Sequence, residues 1–349
     1  NREHKTLKMA TGFAKDQPTG FKNHLENIAI VGAGGQIGKY IVQALIANGK
    51  HKVTALTRKG STNSIPAGVH SIRKIDYSQP ITIVEALKGQ DVLICTLSVR
   101  ATDEAEKLSR AAAGAGVKWI LPNEFGNSKE DEELDQEIII GVKKAQDRKI
   151  IEDLGVSSWI GVATGFWYEY SLSAGPWSFG FDIKNRAVTF YDDGTKQIDT
   201  ATFPQVGRGV AKLLALKVLP EDENDKSTTL SQFRNGFVCI SSFRVSQQRI
   251  FESLLKVTGT TREDWSVTSE PVKERYAKGQ EMFRSGSPVG LGVLLYSRVF
   301  YPDGAGQHPR NDNAALGLSP QDLDEWTAVA VKMVEEDYFL KEVVPRTSG

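Results

Sequence analysis

Apolar and polar positions follow two periods along this chain, and they take turns. From residue 27 the run "NIAIVGA" is apolar and of strand length, and "IGKYIVQALIANG" follows at helical period. Ile37, Tyr40, Ile41, Ala44 and Leu45 fall on one helical face, and Asn48-Gly49 supplies a stop. "KVTALTR" and "VHSIRKID" read as two more strands, "ITIVEALKG" as a helix and "DVLICTLS" as a strand. "TDEAEKLSRAAAGAG" predicts a helix with Thr102 as N-cap and acids in its first turn. "VKWILPNE" is a strand, "GVKKAQDRKIIEDLG" a helix closed by Gly155, and "SSWIGVATG" the next strand. Continuously apolar strands alternating with helices predict the α/β class: a doubly wound parallel sheet covered on both faces.

After about residue 168 the rhythm changes. "AVTFYDDGTKQIDTATF" predicts a hairpin turning at Asp193-Gly194. "FPQVGRGVAKLLAL" and "SQQRIFESLLKVTG" predict helices, with the strand-like "FVCISS" between them. The Gly/Pro-rich segment 284–313 predicts mostly loop. Ser319-Pro320 opens a last helix, with Asp322 three residues after the cap and Leu323, Trp326, Ala330 and Met333 on its buried face. The expected organisation is a polar tail over 1–24, a nucleotide-binding domain over 25–167 and a smaller α+β substrate domain over 168–349. Some elements of the last are expected to return to the first sheet. Met9 is a candidate natural start within the tail.

Composition narrows the classes. The chain has 349 residues, enough for a sizeable core, and its 43 basic and 43 acidic side chains cancel. That balance argues against nucleic acid or an anionic membrane as partner. No apolar run approaches the roughly 20 residues of a membrane-spanning helix. Cys95 and Cys239 are too few for a disulfide framework, and the five histidines have no metal-ligand spacing. A cytoplasmic, metal-free protein, monomeric or homodimeric and acting on a small molecule, is the expectation.

Four glycines within Gly32–Gly38, between a strand and a helix, carry the first specific chemistry. A helix N-terminus offers free N–H groups and a positive dipole end, and glycine lets a pyrophosphate approach them. Gly32 would make the tight turn, Gly35 would meet the phosphates and Gly38 would let helix and strand pack. Gln36 and Ile37 belong to the same loop. The end of the next strand then selects the nucleotide. A site for NAD usually presents a carboxylate there. This chain presents Thr57, Arg58 and Lys59, which suit the 2′-phosphate of NADP(H).

These features, with "DVLICTLS", "KWILPNEFG" and "VKKAQDRKIIEDLGVSSWI", resemble the isoflavone reductase-like (NmrA-like) branch of the atypical short-chain dehydrogenases in its fungal-type form. The likeness continues through "YDDGTKQIDTATFPQVGRGVAKLL" and "FVCISSFRVSQQRIFESLLKVTG", and so runs over about 27–262. It implies a Rossmann-type domain with a smaller C-terminal domain and the substrate between them. It puts the family's active-site lysine on Lys144, with Lys143 as the alternative one register away. The broader group has a Tyr four positions earlier. Here that position is Ile140, which excludes a tyrosine proton donor there.

By position, Thr96, Leu97 and Ser98 at one strand end, Pro122, Asn123, Glu124 and Phe125 at the next, and Thr164, Gly165 and Phe166 would border the nicotinamide. Glu124 could relay a proton or anchor its loop. The aromatic run "FWYEYSLSAGPWSFGF" offers Trp167, Tyr168 and Trp177 to a planar substrate, or else fills a core. The acidic run "KEDEELDQE" reads as a solvated loop.

The resulting expectation is an NADPH-dependent reductase that delivers hydride to a polarised C=C, C=O or C=N bond of a small aromatic or polycyclic metabolite. Lys144 would stabilise or protonate the developing charge. Two rivals stay open: an NADP(H)-sensing regulator without catalysis, and a non-redox isomerase or cyclase that retains the cofactor.

Overall fold

The computed structural model describes residues 12–98, 101, 103–127, 132–339 and 341. Met9, the expected cap Thr102 and residues 129–131 of the acidic run lie outside them. Strands β1 (Asn27–Val31), β2 (Lys52–Arg58), β3 (Ser71–Ile75), β4 (Val92–Cys95), β5 (Trp119–Leu121) and β6 (Ser158–Ala163) all run parallel. Between them lie α1 (Gly38–Asn48), α2 (Pro80–Leu87), α3 (Glu104–Ala115), α4 (Glu132–Glu137) and α5 (Ile140–Asp153). Asp103 stands at the N-cap position of α3. The run read as a solvated loop contains the short helix α4. Its Glu137 pairs with Arg298 at 2.6 Å, a partner that only the folded chain brings near.

The second half contributes β7 (Phe166–Trp167), α6 (Tyr168–Ser173), β8 (Phe181–Asp182), β9 (Ala187–Tyr191), β10 (Gln197–Ala201), α7 (Phe203–Leu214), β11 (Gly236–Cys239) and β12 (Phe243–Ser246). It ends with α8 (Gln247–Thr258), β13 (Ser266–Glu270), α9 (Val272–Arg284), α10 (Gly290–Val299) and α11 (Leu323–Glu335). β11 joins the large sheet beside β6, so that seven strands lie in the order β11-β6-β5-β4-β1-β2-β3. The fold is a Rossmann-type doubly wound α/β sheet with two smaller three-stranded sheets in the C-terminal half.

Each face of the large sheet buries its own apolar layer. One holds Ile28, Ile30, Ile41, Leu45, Val206 and Val210, and the other Ala29, Leu93, Leu108, Ile120 and Ile151. A third core around Tyr168, Phe179, Phe251 and Tyr296 fills the C-terminal layer. The N-terminal polar stretch is docked where it is described: Ala14 N–H donates to Pro220 O and Leu219 N–H to Asn23 Oδ1. No helix among the described residues is long and apolar enough to cross a membrane.

The segment 284–313 is mostly loop, as expected, apart from helix α10, whose buried positions are Gly290, Val293, Leu294, Tyr296, Ser297 and Arg298. Two expectations need correction. The hairpin at Asp193-Gly194 does not form. β9 pairs with β8 and β13, while β10 pairs with β7 and β12, so the two strands belong to different sheets. The turn is locally sound, with Thr195 N–H on Asp193 Oδ1, but each strand finds a more distant partner. The last helix is capped by Asp322, whose side chain accepts from Glu325 N–H at 2.9 Å, and not by Ser319.

Candidate active site

β1 leads to β2 on one side and is flanked by β4 on the other, so a crevice opens at the strand ends where the order reverses. The glycine turn lies there. Gly32 has φ +82°, and a Cβ on it would overlap Thr96 O. A Cβ on Gly38 would overlap Gly32 O and stand 2.9 Å from Thr96 Oγ1. Both positions exclude side chains, and Gly35 N–H closes the turn on Gly32 O at 2.8 Å. Ile37 precedes α1 with no side-chain cap, and the first turn of α1 carries no acid. That leaves the positive end of the helix for an external anion.

At the end of β2, Thr57 is half-buried while Arg58 and Lys59 are exposed. Lys59 N–H bonds Ile75 O, and Ser61 N–H turns back to Arg58 O. Lys59 shares a small cavity with Lys74, Asp76, Gln79 and Thr82. The Asp76 carboxyl sits below the usual range chiefly because the Ser78 hydroxyl and N–H bind it.

Next to the turn, buried Thr96 donates its hydroxyl to Val31 O at 2.7 Å. Leu97 and Asn123 exchange two hydrogen bonds: Leu97 N–H donates to Asn123 Oδ1 and Asn123 Nδ2 to Leu97 O. These join the β4 and β5 ends; Ser98 beyond them is exposed and Pro122 is buried. Phe125 packs on the core face that carries α1. Thr164 and Gly165 both donate backbone N–H to Gly126 O, which locks the β5 loop onto the β6 end. Phe166 stacks on Tyr296 with ring centroids 3.7 Å apart.

Lys144 stands on α5 one turn before Arg148. Its Nζ lies 3.6 Å from Glu124 Oε2, and its side chain is 25 % exposed. Glu124 is 3 % exposed and gives its other oxygen, Oε1, to Arg148 Nη1 at 2.5 Å. The Arg148 guanidinium lies 5.5 Å from the rings of both Trp159 and Phe237. Lys143 pairs instead with Asp147 along the helix. Of the two lysines, Lys144 is therefore the one beside Glu124.

The three expected substrate aromatics separate. Tyr168 has no exposed surface, its hydroxyl is shared with Thr327 at 2.6 Å, and it is part of the third core. It is thus removed from the pocket by its packing. Trp167 packs on Phe203 and Tyr170, and Trp177 lies against Tyr296 and Phe339.

Sequence reasoning passed over Arg148 and Glu169. Arg148 had one available signal, its i+4 spacing from Lys144. Glu169 was a lone acid within an aromatic run. It is buried, its Oε1 accepts from Phe203 N–H at 2.9 Å, and burial pushes its carboxyl up to about 7.

Residues 25–174 match the NmrA-like family model. Among curated relatives, the oxidoreductase aprR of Aspergillus flavus is 26 % identical over 313 residues, covering 87 % of this chain and 98 % of that one. Among solved structures, isoflavone reductase superposes with TM-score 0.66 at 22 % identity, covering 87 % of this chain and 98 % of that one. The structure titled AtPrR2 with NADP+ and (+)pinoresinol gives 0.67 at 19 % identity, covering 89 % of this chain and 100 % of that one. The glycine turn lies inside the segment that matches the NmrA-like family, and the chain shares the fold of isoflavone reductase over most of its length.

Proposed function

We propose that this protein is an NADPH-dependent reductase transferring hydride to a polarised C=C, C=O or C=N bond of a small aromatic or polycyclic metabolite. The oxidoreductase part is carried by the family and by the relatives' names. The cofactor part rests on one observation: a side-chain-free turn and an uncapped helix N-terminus stand beside a strand that ends in Arg58-Lys59 without a carboxylate.

The residues fit a dinucleotide phosphate. Gly32, Gly35, Gln36, Ile37 and Gly38 would cradle the pyrophosphate, and Thr57, Arg58 and Lys59 the 2′-phosphate, Arg58 through its fork. Thr96, Leu97, Ser98, Pro122, Asn123, Glu124, Phe125, Thr164, Gly165 and Phe166 would border the nicotinamide end. When bound, such a cofactor supplies the hydride. The protein's part is then polarisation and proton supply. Lys144 keeps an ammonium partly exposed above a buried carboxylate, so it can stabilise a developing negative charge and release a proton from Nζ. Trp167 and Trp177 would flank a planar substrate. The third core absorbs the other large rings.

Paired titrations test the cofactor. NADPH is expected to bind at least tenfold more tightly than NADH, by about 1.4 kcal/mol or more, the scale of a charged hydrogen bond. Equal affinity for the two, or no binding of either, would overturn the reading.

A further inference from the structure

The arrangement around Glu124 joins four elements. The carboxylate comes from the loop after β5, and both cations come from α5, one turn apart. The surface on which Arg148 rests comes from β6 and β11 through Trp159 and Phe237, whose rings meet edge to face at 5.4 Å. Burial is graded. Glu124 is nearly closed off, the Arg148 side chain is 10 % exposed, and Lys144 is the most open of the three. A buried carboxylate needs its charge met on both oxygens. Arg148 meets one in direct hydrogen-bond contact, while Lys144 stands 3.6 Å from the other without closing on it.

We infer that Arg148 is a positioning residue for Lys144: by occupying Oε1 of Glu124 it stops that carboxylate from capturing the ammonium completely, and so keeps Nζ available at the crevice. The inference rests on the reading of Lys144 as the working group. Arg148 has two effects with the same sign. It takes half of the carboxylate's hydrogen-bonding capacity, and its own charge one turn away disfavours a second cation beside it. The other charged groups facing this corner are the Lys143–Asp147 pair on α5 and, across from Asp147, Glu106 of α3. Lys143 is already paired with Asp147, and Asp147 and Glu106 are acids, so none of them replaces Arg148. The rings of Trp159 and Phe237 fix the guanidinium, and a shorter or more flexible cation would not bridge the same span.

Competitive acetylation of the full chain with trace acetic anhydride, read peptide by peptide by mass spectrometry, tests this without any substrate. Only the free amine reacts, and Lys143 is the internal standard. Glu124→Gln removes the counter-ion and leaves Arg148 beside Lys144, so Lys144 is expected to react about threefold faster or more. Arg148→Met leaves the whole carboxylate to Lys144, so Lys144 is expected to react about threefold slower or more. A residue that merely supported the fold would shift both variants in the same direction.

Equal-direction changes, or rates unchanged in both variants, overturn the inference. Should Arg148→Met fail to fold, Arg148→Lys takes its place: slower labelling supports the assignment and unchanged labelling overturns it. The underlying reading is tested separately in the wild-type chain by adding NADPH. Shielding of Lys144 supports its place at the nicotinamide. Absence of shielding, with NADPH bound, overturns that place and leaves the opposed shifts of the two variants to stand or fall alone.

Discussion

The glycine turn and the Lys144 corner, whose Glu124 follows β5, lie at strand ends of one parallel sheet but are built in opposite ways. The turn is seven consecutive residues whose chemistry is backbone: a closed glycine turn, a dipole end and two positions where a Cβ has no room. The corner is assembled from the β5 loop, α5, β6 and β11, and its chemistry is side-chain charge held in a buried setting. A local backbone site tolerates change around it as long as its glycines remain. A site assembled from charges shifts when any partner is removed, because the pairing of the remaining charges changes with it.

The largest expected effect falls on the assembled corner. Arg148→Met should lower stability by about 3 kcal/mol in urea unfolding, the low end for breaking a buried pair, because Lys144 still partners the carboxylate. The Arg148→Met/Glu124→Gln double variant should recover part of it, since the carboxylate that lost its buried partner is gone. Additive losses instead would show that the two residues do not act as a pair.

On the backbone side, Gly38→Val sets a branched side chain against Gly32 O and Thr96. NADPH affinity should fall by about hundredfold or more, roughly 3 kcal/mol, while the corner stays folded. Fluorescence titration against the wild type measures this, and an unchanged affinity would remove the turn from the binding site. Arg58→Ala should then cost NADPH about 1.5–3 kcal/mol and NADH much less. Equal losses for both cofactors would refute the assignment of Arg58 to the 2′-phosphate.

The smallest effect concerns Glu169 on α6, which accepts from Phe203 N–H outside both regions. Its folded carboxyl titrates at about 7 against an ordinary 4.5, so the folded state holds a proton that the unfolded chain has released. Its contribution to stability is full below about pH 4.5 and is lost as pH rises through about 7. Glu169→Gln keeps an acceptor for Phe203 N–H and cannot ionise. The variant should therefore gain on the wild type as pH rises, by on the order of 1–2 kcal/mol at pH 8. Parallel melting curves from pH 5 to 8 would contradict it.

Most of the parallel sheet was legible because each strand is continuously apolar and each helix is amphipathic, so that local pattern and final place agree. Legibility failed where pairing is distant. The strands flanking Asp193-Gly194 look like a hairpin until β13 and β12 claim them. "FVCISS" reads as a strand, but nothing local says that Gly236 lies beside Ile160. Lys144 could be reached through the family pattern, whereas Arg148 acquires its meaning only when α5 docks on β5 and β11.

By itself the sequence determined the strand–helix alternation, the glycine-rich turn between strand and helix, and the cationic end of β2. Each of these depends on residues adjacent along the chain and on steric or dipolar rules that act over a few bonds. Tertiary structure alone decided which of two neighbouring lysines faces a buried carboxylate, which cation takes that carboxylate's other oxygen, and that Tyr168 belongs to a core. Those outcomes depend on burial and on the distance between charges from separate elements, and neither exists before the elements pack.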